Sequence, residues 1–179
     1  MTNTSINEFK NFLDNYALGP KNEDIDVADY GGNEELGSTS IKQILSLYGI
    51  NKYTILDFST GFDLRNPIPG KKFDFGICMD LLEHVSNPFI VSKNIKDNLN
   101  KGALLYVTVP WVWPVHGDPE KYFDYWRFAP DGLKELFNDM EEVVMYGSRD
   151  SYVPDEEVPK EAFAPDPPYM RLIGVFRKI

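Results

Sequence analysis

Residues 73 to 79, Phe-Asp-Phe-Gly-Ile-Cys-Met, are apolar at nearly every position, with Asp74 as the one charged side chain. A strand with one wet face alternates apolar and polar residues, whereas a strand covered on both faces does not alternate. The run therefore predicts a central strand of a sheet held between two layers of helix, which restricts the chain to α/β architectures. The flanking segments agree. Residues 6 to 18, INEFKNFLDNYAL, set Ile6, Phe9, Phe12, Leu13 and Tyr16 at helical spacing until Gly19 and Pro20 stop the pattern. IDVADYGG is a short strand running into glycines, and STSIKQILSLYGI is a helix with Ile41, Ile44, Leu45 and Tyr48 on one face behind a Ser or Thr cap. YTILDFS is a second strand, made parallel to the first by the intervening helix and a right-handed crossover.

Beyond the central run, Asn87 can cap a helix that has Pro88 at its first position, and NKG closes that helix before the strand ALLYVTVPW. Residues 110 to 130 hold all three tryptophans and several prolines, the composition of an ordered aromatic loop. A short helix at Gly132 to Phe137, a strand at EEVVMYG, a Pro- and acid-rich excursion from 153 to 168, and a last strand YMRLIGVFRKI follow. The expected fold class is α/β and Rossmann-like, with a mostly parallel central sheet flanked by helices and an antiparallel C-terminal strand. A chain of 179 residues, 42% hydrophobic, buries one substantial core and is short for two. One domain over 1–179 is expected, with a lead-in helix in 1–20, a cofactor-binding core in 25–109, the aromatic loop in 110–130, and a C-terminal helix and strands in 131–179.

The formal charge of −10, with no stripe of Lys and Arg, disfavours direct binding of nucleic acid and suits a small-molecule or protein partner. No basic flank precedes an apolar run near Met1, and no stretch of about eighteen apolar residues occurs, so a cytoplasmic protein without a membrane span is expected. Cys78 reads as a small buried hydrophobe, and two histidines offer little for a metal cluster, so no metal is expected.

In parallel α/β sheets, ligands bind beyond the carboxyl ends of the strands, where the strand order reverses. The first strand ends in DYGGNEELGS, where Gly31, Gly32 and Gly37 let the backbone turn tightly and approach a ligand. Twenty positions beyond Gly37, Asp57 closes the second strand, as a carboxylate accepting hydrogen bonds from ribose hydroxyls would. Together these features point to an adenosine-containing ligand. Asp29, Glu34 and Glu35 would repel a pyrophosphate and suit a cationic sulfonium and ammonium, unless they are only solvated acids at a helix start.

KFDFGICMDLLEHVSNPF, followed by KNIKDNLNKGALLYVTVPW, resembles the core of class I S-adenosylmethionine-dependent methyltransferases of the type 11 kind, with their FD-strand, LEHV turn, helix, KGG-like turn and strand ending in Pro. PVHGDPEKYFDYWRFAPDGLKELF resembles the segment of that group carrying an H, a P, a YWRF and a P-x-GL, so the likeness spans roughly residues 25 to 137. The resemblance implies S-adenosylmethionine as cofactor. It places Asp29, Gly31 and Gly32, with Asn33, in the first cofactor motif and Asp57, with Phe58, at the ribose. It puts Asp63 and Leu64 at the adenine, and Met79, Asp80 and Leu81 at the strand end facing the methionine moiety. The chain departs from the family in two places. Asn33 and Glu34 stand where small residues are common, and the stretch between Asp57 and Phe73 has no room for a helix and a strand, so one crossover is missing and the middle of the fold is shortened.

Methyl transfer is an in-line displacement at a sulfonium, to which holding donor and acceptor together contributes much of the rate. His116, beyond a strand end and able to titrate near neutrality, is the candidate base, and Asp118, Tyr125 and Arg127 are candidates to orient an acceptor. The competing reading makes Trp111, Trp113, Tyr122, Tyr125, Trp126 and Phe128 a hydrophobic brace, with Arg127 and Asp124 as structural partners. His84 and Glu83 in LLEHV read as side chains that fix a turn. Two other functions stay open at this point: a ligand- or partner-binding module without catalysis, and a nucleotide-dependent oxidoreductase.

Overall fold

β3 (Phe73–Met79) runs between β1 (Asp26–Tyr30) and β4 (Leu99–Pro110) in a computed structural model that describes residues 3–16, 24–33, 39–118, 120, 122–148 and 170–179. With β2 (Lys52–Leu56), β5 (Met140–Ser148) and β6 (Arg171–Lys178), these strands form one sheet in the order β2-β1-β3-β4-β6-β5. The first four are parallel, β6 is antiparallel to β4, and β5 is antiparallel to β6.

Alternation along the strands builds two cores, one on each side of the sheet. Val27, Phe75, Ile77, Leu104 and Tyr106 meet α1 (Asn3–Tyr16) and α2 (Thr39–Leu47) through Phe9, Phe12, Leu13, Ile41, Ile44 and Leu45. Ala28, Tyr30, Cys78, Leu105, Val107 and Val109 meet α3 (Pro88–Asp97) and α4 (Pro130–Leu136) through Val91, Ile95, Leu133 and Leu136. Cover on both faces is why FDFGICM does not alternate. The helices start where their local chemistry directs. Asn87 Oδ1 accepts the Ile90 N–H at 3.2 Å ahead of Pro88, while α1 begins three residues before its apolar periodicity does.

Residues 57–72, between β2 and β3, hold a single 3₁₀ turn (Phe58–Thr60) and neither an α-helix nor a strand. The shortened middle is thus a loop pinned down by its own side chains. Leu64 is buried in the core beneath α3, its carbonyl accepts from Asn94 Nδ2 at 2.9 Å, and Ile68 packs on the same cluster. As a result β2 forms one edge of the sheet, paired among the described strands with β1 alone. Glu34, Glu35, Gly37 and the excursion from 153 to 168 lie outside the described residues. Among the described residues no helix is long and apolar enough to cross a membrane.

Candidate active site at the carboxyl ends of the parallel strands

β1 pairs β2 on one side and β3 on the other, so the strand order reverses between β1 and β3. Gly31 sits there with φ +74°, and its N–H donates to the Leu56 carbonyl at 2.9 Å, folding the chain back over the end of β2. A Cβ built on Gly31 would lie 2.6 Å from Leu81 Cδ1, so only a glycine suits both the conformation and the neighbour. Gly32 is buried and Asn33 half-buried beside it. Asp29, 4% exposed, accepts a hydrogen bond from the Tyr53 hydroxyl on β2.

Asp57, half-buried, follows β2 directly and caps the 3₁₀ turn: its Oδ1 accepts from Ser59 N at 2.8 Å and Ser59 Oγ at 2.6 Å. Both bonds land on Oδ1, which leaves Oδ2 available to a ligand. Phe58 is 69% exposed, with the Arg65 guanidinium 5.7 Å from its ring centre. Arg65 also clasps Asp63 at 2.8 and 2.9 Å, and these hydrogen bonds hold the Asp63 carboxyl below its ordinary range. Leu64, expected at the adenine, packs its side chain into the core cluster with Val91 and Ile95 of α3.

At the end of β3, Met79 packs half-buried on the α1 side. Asp80 is a non-glycine residue with φ +50°, a conformation that persists only when its surroundings over-determine it. They do. Its N–H donates to the Thr108 carbonyl at 2.9 Å, and its carboxylate accepts from Thr108 Oγ1 at 2.9 Å and from Arg171 Nε and Nη2 at 3.1 and 2.8 Å. Arg171 Nη1 also donates to Ser5 Oγ on α1.

A cavity of about 190 Å³ opens beside Asp80, lined also by Glu83, Pro110, Trp113, His116, Met170 and Arg171. Glu83 is fully buried, and burial, reinforced by the charge of Asp80, pushes its pKa well above the ordinary carboxyl value. His84 donates from Nδ1 to the Phe123 carbonyl at 2.7 Å, and burial lowers its pKa. His116 donates from its backbone N–H to Asp124 Oδ2 at 2.8 Å, and its ring meets that of His84 edge to face at 4.9 Å.

The aromatic loop is braced from beneath. Arg127 binds both oxygens of Asp124 at 2.6 and 2.7 Å and reaches the carbonyls of Trp113 and Pro114, each at 3.1 Å. This guanidinium, facing Asp124, holds the carboxyl far below its usual range. Arg127 and Asp124 are thus structural partners of the loop, as the brace reading expects. Tyr125 is 48% exposed and donates its N–H to the Glu83 carbonyl at 2.7 Å, while Asp118 pairs with Tyr122 through the backbone at 3.0 and 2.7 Å. The cavity brings His116 to Asp80, whereas Asp118, Tyr125 and Arg127 are not in its lining. Tyr53 and Arg171 escape sequence reasoning. The one signal for Arg171 is a charge opening an otherwise apolar strand, and its register opposite Pro110 delivers it to the carboxyl end of β4.

No protein-family model matches the chain, and no curated protein matches it in sequence. Solved structures do match. The 1,6-didemethyltoxoflavin-N1-methyltransferase of Burkholderia thailandensis, with bound 1,6-didemethyltoxoflavin and S-adenosylhomocysteine, shares 14% identity over 97% of this chain and 78% of its own, at a TM-score of 0.64. A chain of the complex between the Haloferax volcanii Trm112 methyltransferase activator and a methyltransferase shares 15% over 98% and 95%, at 0.62. An S-adenosylmethionine-dependent methyltransferase from Clostridium acetobutylicum shares 10% over 98% and 92%, at 0.61. The six-stranded sheet described above, flanked by helices and closed by an antiparallel C-terminal strand, is the Rossmann-like fold of S-adenosylmethionine-dependent methyltransferases.

Proposed function

We infer that the chain binds S-adenosylmethionine and transfers its methyl group to a small-molecule or protein acceptor. The observation that carries this reading is the switch point between β1 and β3, where the chain turns at Gly31 against Leu81 and the acidic residues Asp29, Asp57 and Asp80 stand at or just beyond the carboxyl ends of β1, β2 and β3. Asp57, with Oδ2 available, would take the ribose hydroxyls. Gly31, Gly32 and Asn33 would lie along the methionine moiety, and Phe58 with Asp63 would flank the adenine. Acidic strand ends suit a cofactor whose sulfonium and ammonium are both cationic. When bound, that cofactor supplies an electrophilic methyl group.

The protein's part is positioning and exclusion of water. Asp80, fixed by Thr108 and Arg171, sets the floor of the acceptor cavity, and Trp113 and Pro110 wall it. His116 lines the same cavity and, while no ion occupies its ring nitrogen, would accept the acceptor's proton where one must leave. The net charge of −10 argues against nucleic acid as acceptor, and a lone buried thiol, Cys78, suits a cytoplasmic setting. A Trm112-type activator is a partner to test, because a neighbour of the same fold occurs in such a complex.

The test is calorimetric titration with S-adenosylmethionine and S-adenosylhomocysteine. Micromolar binding, followed by transfer of labelled methyl to an acceptor found by screening, is expected. A folded protein that binds neither ligand refutes the reading.

A further inference from the structure

Glu83 lies in the 3₁₀ turn Leu82–His84, is 0% exposed, and among the described residues has no hydrogen-bond partner at either carboxylate oxygen. The charges around it are already matched, Asp80 with Arg171 and Asp124 with Arg127. His84 Nε2 is 3.7 Å from Glu83 Oε1, too far for a hydrogen bond. A buried carboxyl group so placed is stabilised by a proton or by a cation that takes the proton's place.

Two imidazoles flank it in a particular orientation. Nδ1 of His84 meets the Phe123 carbonyl at 2.7 Å, while Nδ1 of His116 lies 3.1 Å from Asp124 Oδ2 and 3.3 Å from the Pro114 carbonyl. Acceptors at Nδ1 require the proton there, which leaves the Nε2 lone pair of each neutral ring free to ligate. Anchoring one ring nitrogen on a carbonyl or carboxylate is how metal-bound histidines are oriented. One nitrogen from each ring and one Glu83 oxygen lie within 4.8 Å of one another. Bonds of about 2.1 Å set adjacent donors roughly 3.0–3.5 Å apart, so an ion would draw the three in by roughly 1 Å.

We propose that Glu83, His84 and His116 bind one divalent transition-metal ion of the zinc, cobalt or iron(II) class in the wall of the cavity beside Asp80. Two imidazoles and one carboxylate select this class over magnesium and calcium, which take oxygen ligands. Three protein ligands leave a coordination position open. An acceptor oxygen would take that position from the cavity that Glu83 and His116 line; that role rests on the methyl-transfer reading, whereas ion binding does not. The two histidines are far apart in the chain, so their count alone gave no sign of a site.

The test is titration of the chelator-stripped full chain with Zn²⁺ by calorimetry and with Co²⁺ by visible absorption. One saturable equivalent is expected, with cobalt bands typical of nitrogen and oxygen ligands. His116→Ala and Glu83→Gln should each weaken zinc binding by roughly a hundredfold or more, while Glu120→Gln in the same loop should not. Circular dichroism checks each fold; should one variant misfold, the other decides. A folded wild type that takes up no ion, or uptake undiminished in both ligand variants, overturns the proposal. S-adenosylhomocysteine titration of the same samples reports the cofactor site separately: its failure with zinc uptake intact refutes the methyl-transfer reading alone.

Discussion

Arg171 Nε and Nη2 hold the carboxylate of Asp80 at 3.1 and 2.8 Å, tying the first residue of β6 to the carboxyl end of the central strand β3. Asp80 keeps its φ of +50° against the local preference of an L-residue because these bonds and those to Thr108 fix it. Arg171→Met should therefore lower stability by about 1–2 kcal/mol, the range for charged hydrogen bonds discounted for partial exposure. Urea denaturation measures this, and a midpoint equal to wild type contradicts the tie.

Gly31→Ala places a Cβ at φ +74° and within 2.6 Å of Leu81 Cδ1. The strain should cost roughly 1–2 kcal/mol, and the displaced turn should weaken S-adenosylhomocysteine binding more than tenfold. Calorimetry on the folded variant measures the affinity; binding at wild-type strength shows that the turn does not shape the cofactor site.

Asp57 has two roles that different substitutions separate. Asp57→Asn keeps an oxygen for Ser59 and removes the charge, so thermal stability should stay within about 0.5 kcal/mol of wild type, while cofactor affinity falls at least tenfold. Asp57→Ala should lose the affinity and also about 1 kcal/mol of stability from the cap. Equal affinities in wild type and Asp57→Asn would falsify the ribose assignment.

Asp63 offers a pH signature. Its folded carboxyl is held below the ordinary value by the Arg65 hydrogen bonds, so the clasp contributes above the unfolded pKa of about 3.9 and is lost as pH falls through the folded value. Carbon-13 NMR titration of the Asp63 carboxyl should show a depressed midpoint in wild type and a return toward the ordinary range in Arg65→Ala. An identical midpoint in both proteins rules the clasp out as the cause.

What the sequence made legible is what its chemistry decides locally. FDFGICM had to be central because it does not alternate, and Asn87 with Pro88 marked the start of α3. The absent crossover was visible because too few residues separate Asp57 from Phe73. Leu64 was read at the adenine edge, but a leucine in a short connection beneath α3 is worth more to the core. The pairing of Asp80 with Arg171, residues 91 apart in the chain, was not legible because no local pattern encodes it. His84 and Glu83 were read as fixing a turn; His84 does so through Phe123, while the burial of Glu83 without a partner emerges only when the aromatic loop closes over it.

β6 lies between β4 and β5, and among the described strands β5 pairs with β6 alone. During synthesis β5 leaves the ribosome before β6, so this strand must wait unpaired until β6 arrives and slots in between it and β4. The Arg171 tie forms at the same moment. The cavity beside Asp80 therefore has no early version: β1 to β4 can condense as they emerge, but its wall is completed only when residues 171 to 178 are made.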